Sequence, residues 1–238
     1  MNKKFNKFSS IDKLSRFRGI FPTRLNKLRF DANERVSEFE NKFIQLLKKK
    51  IKSHHLTAYP EVEEIYDLLA RFNGLRRENI MVTAGSDIGI RHCFELFANS
   101  NSKVLTLSPT FGMYDVYSKL FKVNQIKINY DKNLVLDFNK LINSIDKKTN
   151  LIMLANPNSP TGTIISEENI LKILKKAKSK NCYVVIDEAY FGFYKNSSIK
   201  FLKRFKNLII LRTFSKAIGM AGIRAGYIIS DTKNIKRL

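Results

Sequence analysis

Between Thr213 and Arg224 the chain reads Thr-Phe-Ser-Lys-Ala-Ile-Gly-Met-Ala-Gly-Ile-Arg. Lysine condenses with carbonyl groups, and serine, threonine and arginine together suit a phosphate dianion. The stretch therefore fits a ligand that carries both an aldehyde and a phosphate, although a surface loop with a solvated lysine and an ion-paired arginine would have the same letters. A second loaded stretch, Val184-Val185-Ile186-Asp187-Glu188-Ala189-Tyr190, ends an apolar run in two acids and a tyrosine. A carboxylate at a buried strand end is costly unless a cation faces it. The plainer role for Asp187 and Glu188 is helix capping or a surface pair. Gly85-Ser86-Asp87 opens a helical run just after an apolar one, where backbone N–H groups and the positive dipole end can hold a phosphate, or where the residues simply cap the helix. In Asn156-Pro157-Asn158-Ser159-Pro160-Thr161-Gly162 two prolines and a glycine in fixed register mark a specific connection.

These residues need elements to hold them. Short apolar runs rich in β-branched residues predict strands at 80–83, 103–107, 125–128, 151–155, 183–186, 208–211 and 227–229. Helical periodicity between them predicts helices at 87–98, 112–121, 138–145 and 167–178. Alternation of this kind implies an α/β fold with a mostly parallel sheet covered by helices on both faces. Right-handed crossovers then bring the strand C-termini to one edge, where ligands of open α/β sheets bind, and each loaded stretch follows a predicted strand. Upstream, residues 1–30 have little periodicity and read as an arm. Val36, Phe39, Phe43, Leu46, Leu47 and Ile51 fall on one face of a predicted helix at 35–51. A further helix is predicted at 61–72, with Ile65, Leu68, Leu69 and Phe72 inward and Gly74 as its C-cap.

Composition excludes little. Lys+Arg 43 against Asp+Glu 21 gives a net charge of +22, which could signal a polyanion partner. The basic residues are scattered and accompany heavy use of asparagine and isoleucine, so a compositional bias explains them better than nucleic acid does. The two cysteines, Cys93 and Cys182, lie in apolar segments and suit buried thiols in a reducing compartment. No apolar run is long enough to cross a bilayer, and residues 1–20 lack the apolar core of a secretory signal. The expected location is cytoplasmic, with an organelle transit peptide less favoured.

The run from Ser215 to Arg224 resembles the Ser-Lys-x-x-Gly-x-x-Gly-x-Arg signature of class I/II aminotransferases, nearest their histidinol-phosphate aminotransferase branch. Pro109-Thr110-Phe111-Gly112 and the Asn156–Gly162 loop resemble further motifs of that family, as does Asp31-Ala32-Asn33-Glu34, which resembles its substrate-mouth segment. The resemblance implies pyridoxal 5'-phosphate as cofactor, carried by Lys216. It implies Asp187 on the ring nitrogen, Tyr190 on the 3-hydroxyl and Phe111 stacked on the ring. Gly85, Ser86, Asp87, Thr213, Ser215 and Arg224 would hold the phosphate, with Tyr59 reaching it from a neighbouring subunit, hence a homodimer. Ser159 stands where the family usually has asparagine as a donor to the 3-hydroxyl oxygen, and its side chain is shorter. Asn33 would face substrate. The implied activity moves an amino group between an amino acid or amino-alcohol phosphate and a 2-oxo acid, with no metal. A decarboxylase of phosphorylated amino acids and a non-catalytic cofactor-binding homologue share these motifs. The expected division is an arm over residues 1–33 and a cofactor-binding domain over 34–238, with no counterpart of the family's small C-terminal domain.

Overall fold

The computed structural model describes residues 24–238, so residues 1–23 of the expected arm lie outside it. Among the described residues there are seven strands: β1 (Ile80–Thr83), β2 (Lys103–Ser108), β3 (Asn124–Asn129), β4 (Thr149–Ala155), β5 (Tyr183–Asp187), β6 (Leu208–Thr213) and β7 (Gly226–Ser230). The helices are α1 (Asn41–Lys50), α2 (His54–Thr57), α3 (Glu63–Asn73), α4 (Gly85–Phe97), α5 (Met113–Leu120), α6 (Phe138–Asn143), α7 (Glu167–Lys178) and α8 (Thr232–Ile235). The strands form one sheet in the order β1-β7-β6-β5-β4-β2-β3. Only β7 runs against the others, pairing with both β1 and β6.

The central strands are apolar on both sides because both faces are covered. On one face, Ile152 and Leu154 of β4 and Val184 and Ile186 of β5 pack with Leu69, Leu141 and Ile173 from α3, α6 and α7. On the other, Met153, Val185 and Leu211 pack with Ile90 and Phe94 of α4 and Tyr114 of α5. Cys93 and Cys182 are buried and free, in the clusters of opposite faces. Local chemistry sets the helix limits. The Ser166 hydroxyl caps α7 by accepting from the Asn169 N–H at 3.2 Å, two glutamates follow in the first turn, and lysines occupy the last. Gly74 closes α3 in the left-handed region at φ 62°.

Two expectations need correction. The helix predicted from residue 35 begins at Asn41, because the Arg35 guanidinium bonds the Ser37 and Glu38 carbonyls and stacks 4.4 Å from the Phe39 ring, holding that stretch outside the helix. None of α1 is buried in this chain. In α3, Leu69 is inward as predicted, but its buried companion is Ala70, with Tyr66 packed alongside. Ile65, Leu68 and Phe72 form a neighbouring stripe that faces out, Phe72 being 68 % exposed.

Glu188 is neither a cap nor a surface acid. It is buried against Arg212 of β6, whose Nε and Nη2 donate to Oε2 at 3.0 and 2.9 Å. The Ser198 N–H and the Ser197 hydroxyl complete the carboxylate's shell, Asn73 accepts from Arg212 Nη1 at 2.7 Å, and the Phe191 ring lies 3.5 Å from the guanidinium. This network ties α3 to the sheet. Arg212→Met should strand the buried carboxylate and lower stability by about 3–5 kcal/mol in urea unfolding, whereas Arg212→Met with Glu188→Leu should lose far less. Equal losses in both would refute the pairing as the reason for the cost.

Candidate active site

The C-terminal ends of β4, β5 and β6 open into a cleft of about 470 Å³, floored by Ala155, Asp187 and Thr213. The C-terminal end of β1 meets β7 through the pair Thr83–Gly226, which also neighbours Thr213. Gly226 is the fulcrum of this corner. A Cβ there would sit 2.6 Å from the Arg212 carbonyl oxygen and 2.7 Å from the Ser86 nitrogen, so only glycine lets the first turn of α4 rest on β7. That contact aims the start of α4, with Ser86 and Asp87, into the cleft.

Opposite α4 lies the connection from β6 to β7. The Thr213 hydroxyl donates to Ser215 Oγ at 3.0 Å, and Arg224 Nη1 donates to the same oxygen at 3.2 Å. Arg224 adopts the left-handed region at φ 52°, and Gly85, at φ 80°, leaves it room: a Cβ on Gly85 would lie 3.0 Å from Nη2. Two hydroxyls, a guanidinium and a helix N-terminus thus converge on one end of the cleft, a donor set suited to a phosphate dianion.

At the base of the cleft the Asp187 side chain is 3 % exposed. Its Oδ2 accepts from the Tyr114 hydroxyl at 3.0 Å and its Oδ1 from the Ala189 N–H at 3.0 Å. Burial raises this carboxyl to about 6, the two hydrogen bonds oppose the rise, and the Asp87 and Glu188 charges add to it. Among these contacts its donors are neutral, so the carboxyl stands without the cation that would favour its charged form. Lys216 Nζ donates to the Ala32 carbonyl at 2.5 Å and lies 5.8 Å from the centre of the Tyr190 ring. The Tyr190 hydroxyl accepts from Asn33 Nδ2 at 2.8 Å and donates to Ser159 Oγ at 3.4 Å. Phe111 closes one side. Its loop is locked to the 156–162 loop through buried Asn158, which bonds Thr110, Pro109 and Thr161.

Asn33, Ser86, Asp87, Phe111, Ser159, Asp187, Tyr190, Thr213, Ser215, Lys216 and Arg224 all line this one cleft, and Gly85 backs it. Tyr59 does not reach it and is 100 % exposed. The sequence reading missed Tyr114, Gly226, Asn158 and the Ala32 carbonyl. Tyr114 had a usable signal, standing one helical turn after Phe111, whereas Gly226 and the Ala32 carbonyl bear no chemistry of their own. The set fits pyridoxal phosphate: phosphate donors at one end, an acid without a counter-ion at the other, and an amine, a phenol and an aromatic ring along the walls.

The histidinol-phosphate aminotransferase of Caldanaerobacter subterraneus subsp. tengcongensis is 37% identical over 215 residues, covering 89% of this chain and 60% of that protein. The enzyme of the same name from Pyrococcus furiosus is 34% identical over 210 residues, covering 87% and 60%. Among solved structures, a putative histidinol-phosphate aminotransferase from Erwinia carotovora atroseptica superposes with a TM-score of 0.81 at 26% identity, covering 89% of this chain and 63% of that one. The histidinol-phosphate aminotransferase from Sinorhizobium meliloti, in complex with pyridoxal-5'-phosphate, shares the fold with a TM-score of 0.80 at 23% identity, covering 98% and 65%. The chain spans about 60% of the length of the curated relatives it matches. A family model described as aminotransferase class I and II matches residues 25–238, and the chain belongs to that family.

Proposed function

We propose that residues 34–238 are the cofactor-binding domain of a pyridoxal 5'-phosphate-dependent aminotransferase. It would act on an amino-alcohol phosphate or amino acid of the histidinol-phosphate kind, with a 2-oxo acid as the second substrate. The observation that carries this is the meeting, in one cleft, of an amine (Lys216), a buried acid without a counter-ion (Asp187) and a phosphate cup (Ser86, Thr213, Ser215, Arg224). The substrate class rests on the names of the relatives.

When bound, the cofactor supplies an aldehyde that condenses with amines and a protonated ring that takes up the electron pair released at the substrate carbon. The chain's residues do the rest. Lys216, whose Nζ donates to the Ala32 carbonyl, would hold the cofactor covalently and, as a free amine, would carry the proton at the substrate's amine-bearing carbon. Asp187 would hold a proton on the ring nitrogen, and that cation would supply the counter-ion its burial lacks. Tyr190, held by the Asn33 amide, would turn its one hydroxyl proton from Ser159 to the ring's 3-hydroxyl oxygen. Phe111 would orient the ring and exclude water from one face, and Asn33, which also lines the cleft, would face substrate.

Two further parts of the reading concern context. A homodimer is supported by fully exposed Tyr59 and by the outward apolar residues Leu46, Ile65, Leu68 and Phe72, which a second copy would cover, and light scattering tests it. A monomer that still holds the cofactor would refute it. A cytoplasmic location is supported by two free thiols buried on opposite faces of the sheet.

The covalent assignment is tested by borohydride reduction with pyridoxal phosphate followed by peptide mapping. The label should appear on Lys216 and vanish in Lys216→Ala; a label on another lysine with Lys216 unmodified would overturn it. The acid is tested without cofactor. The carboxyl's folded-state value of about 6 lies above its ordinary 3.8, so the folded form holds the proton more tightly. The stability it lends is complete below pH 3.8 and lost as pH rises through about 6, roughly 3 kcal/mol in all. Asp187→Asn should therefore match the native chain near pH 4 and exceed it at pH 8 in urea unfolding. A constant offset across that range would show that Asp187 does not titrate as its burial implies.

A further inference from the structure

The first turn of α5 does two things at once. Phe111 lines the cleft just before it, and Tyr114, within it, is fully buried with its ring edge-on to Phe111, the centroids 5.9 Å apart and the planes at 86°. The Tyr114 N–H bonds the Phe111 carbonyl at 3.1 Å, which fixes the backbone of the two residues in one turn. Around the Tyr114 ring the packing is apolar, with Phe94, Met153 and Val185 in the same cluster. A phenylalanine would fill that space equally well. The hydroxyl reaches Asp187 Oδ2 at 3.0 Å, while the Ala189 N–H takes Oδ1. A carboxylate held by one donor on each oxygen has its plane fixed, leaving its remaining lone pairs for a group in the cleft.

We propose that Tyr114 is a positioning residue: its buried hydroxyl holds the Asp187 carboxylate in the orientation in which it meets the cationic nitrogen of a ring ligand whose face is set by Phe111. This rests on the cofactor reading above. Other groups around Asp187 do not substitute for it. From α4 come Cys93, whose thiol burial pushes far up so that it stays neutral, and Asp87, a like charge that opposes ionisation. Glu188 is committed to Arg212, and the strand neighbours Ala155 and Leu211 do not titrate. Lys216 and Arg224 belong to the cleft wall, bonded to the Ala32 carbonyl and to Ser215 and Ala221. Burial and the Asp187 charge push the Tyr114 phenol well above its ordinary value, so it remains a donor wherever the carboxylate is ionised.

Tyr114→Phe separates this role from packing. In the cofactor-free protein its Tm should fall progressively further below the native value as pH rises from 5 to 8, because the lost bond served the charged carboxylate. Its dissociation constant for pyridoxal phosphate at neutral pH should rise by about tenfold, the size of one charge-assisted hydrogen bond. Tyr114→3-fluorotyrosine, a stronger donor of nearly the same size, should move both readouts in the opposite direction, which keeps the test open if the phenylalanine variant folds poorly. A Tm deficit that is the same at pH 5 and pH 8, or an unchanged response to fluorination, would overturn the proposal. A native protein that binds no pyridoxal phosphate would sink the cofactor reading alone, since the cofactor-free series still decides what the Tyr114 hydroxyl does.

Discussion

A carboxyl buried at the end of a central strand and supplied only with neutral donors is the constraint on which the cleft depends. Burial alone disfavours its charge, and two hydrogen bonds recover only part of that cost, so the Asp187 carboxyl is pushed up to about 6. The sheet is what makes this arrangement sustainable. β5 lies between β4 and β6 with helices on both faces, and its interior residues are buried throughout, which leaves Asp187 no route to solvent except the cleft. A group so placed is unfavourable to folding and favourable to a cationic ligand, and such placements belong to functional sites more often than to structural ones.

The residue after it shows the opposite solution. Asp187 and Glu188 are adjacent, and the alternation of a strand sends their side chains to opposite faces. On the Glu188 side, Arg212 arrives from β6 with two N–H groups on one carboxylate oxygen, and Ser197, Ser198 and Asn73 satisfy what remains. That pair is closed: it fixes the spacing of β5 and β6 and anchors α3, and it has no capacity left for a ligand. On the Asp187 side the corresponding β6 neighbour is Leu211, which offers no charge. Two consecutive acids thus serve as a structural clamp and an open electrostatic site, and the difference lies wholly in what the next strand presents to each face.

How much of this was legible in the sequence follows from which interactions are local. All seven strands lie where β-branched apolar runs predicted them, and α7 matches its predicted span, because burial on both faces and capping residues leave local signatures. The loaded residues after the strands were legible for the same reason. Glu188 was not, since Arg212 is remote in sequence and nothing near Glu188 announces it. The orientation of α3 was misjudged because apolar residues occur on two adjacent stripes, and periodicity alone does not say which one the sheet takes. Gly226 escaped notice because its contribution is the absence of a side chain beside the α4 N-terminus.

The mouth of the cleft shows why its chemistry could not have been assembled from any single stretch. Lys216 donates to the Ala32 carbonyl, and Asn33, itself at φ 49°, donates to the Tyr190 hydroxyl, so a segment that precedes the sheet in sequence lies against the amine and the phenol that follow it. Asp31 and Glu34 of that segment also line the cleft, yet their carboxylates are drawn to Arg24 and Arg29, at 2.8–3.0 Å, and not to Lys216. The consequence is electrostatic: Lys216 meets a carbonyl dipole there and not a full negative charge. The segment therefore covers Lys216 with a neutral carbonyl, and Arg24 and Arg29 hold the acids on either side of that carbonyl in pairs of their own.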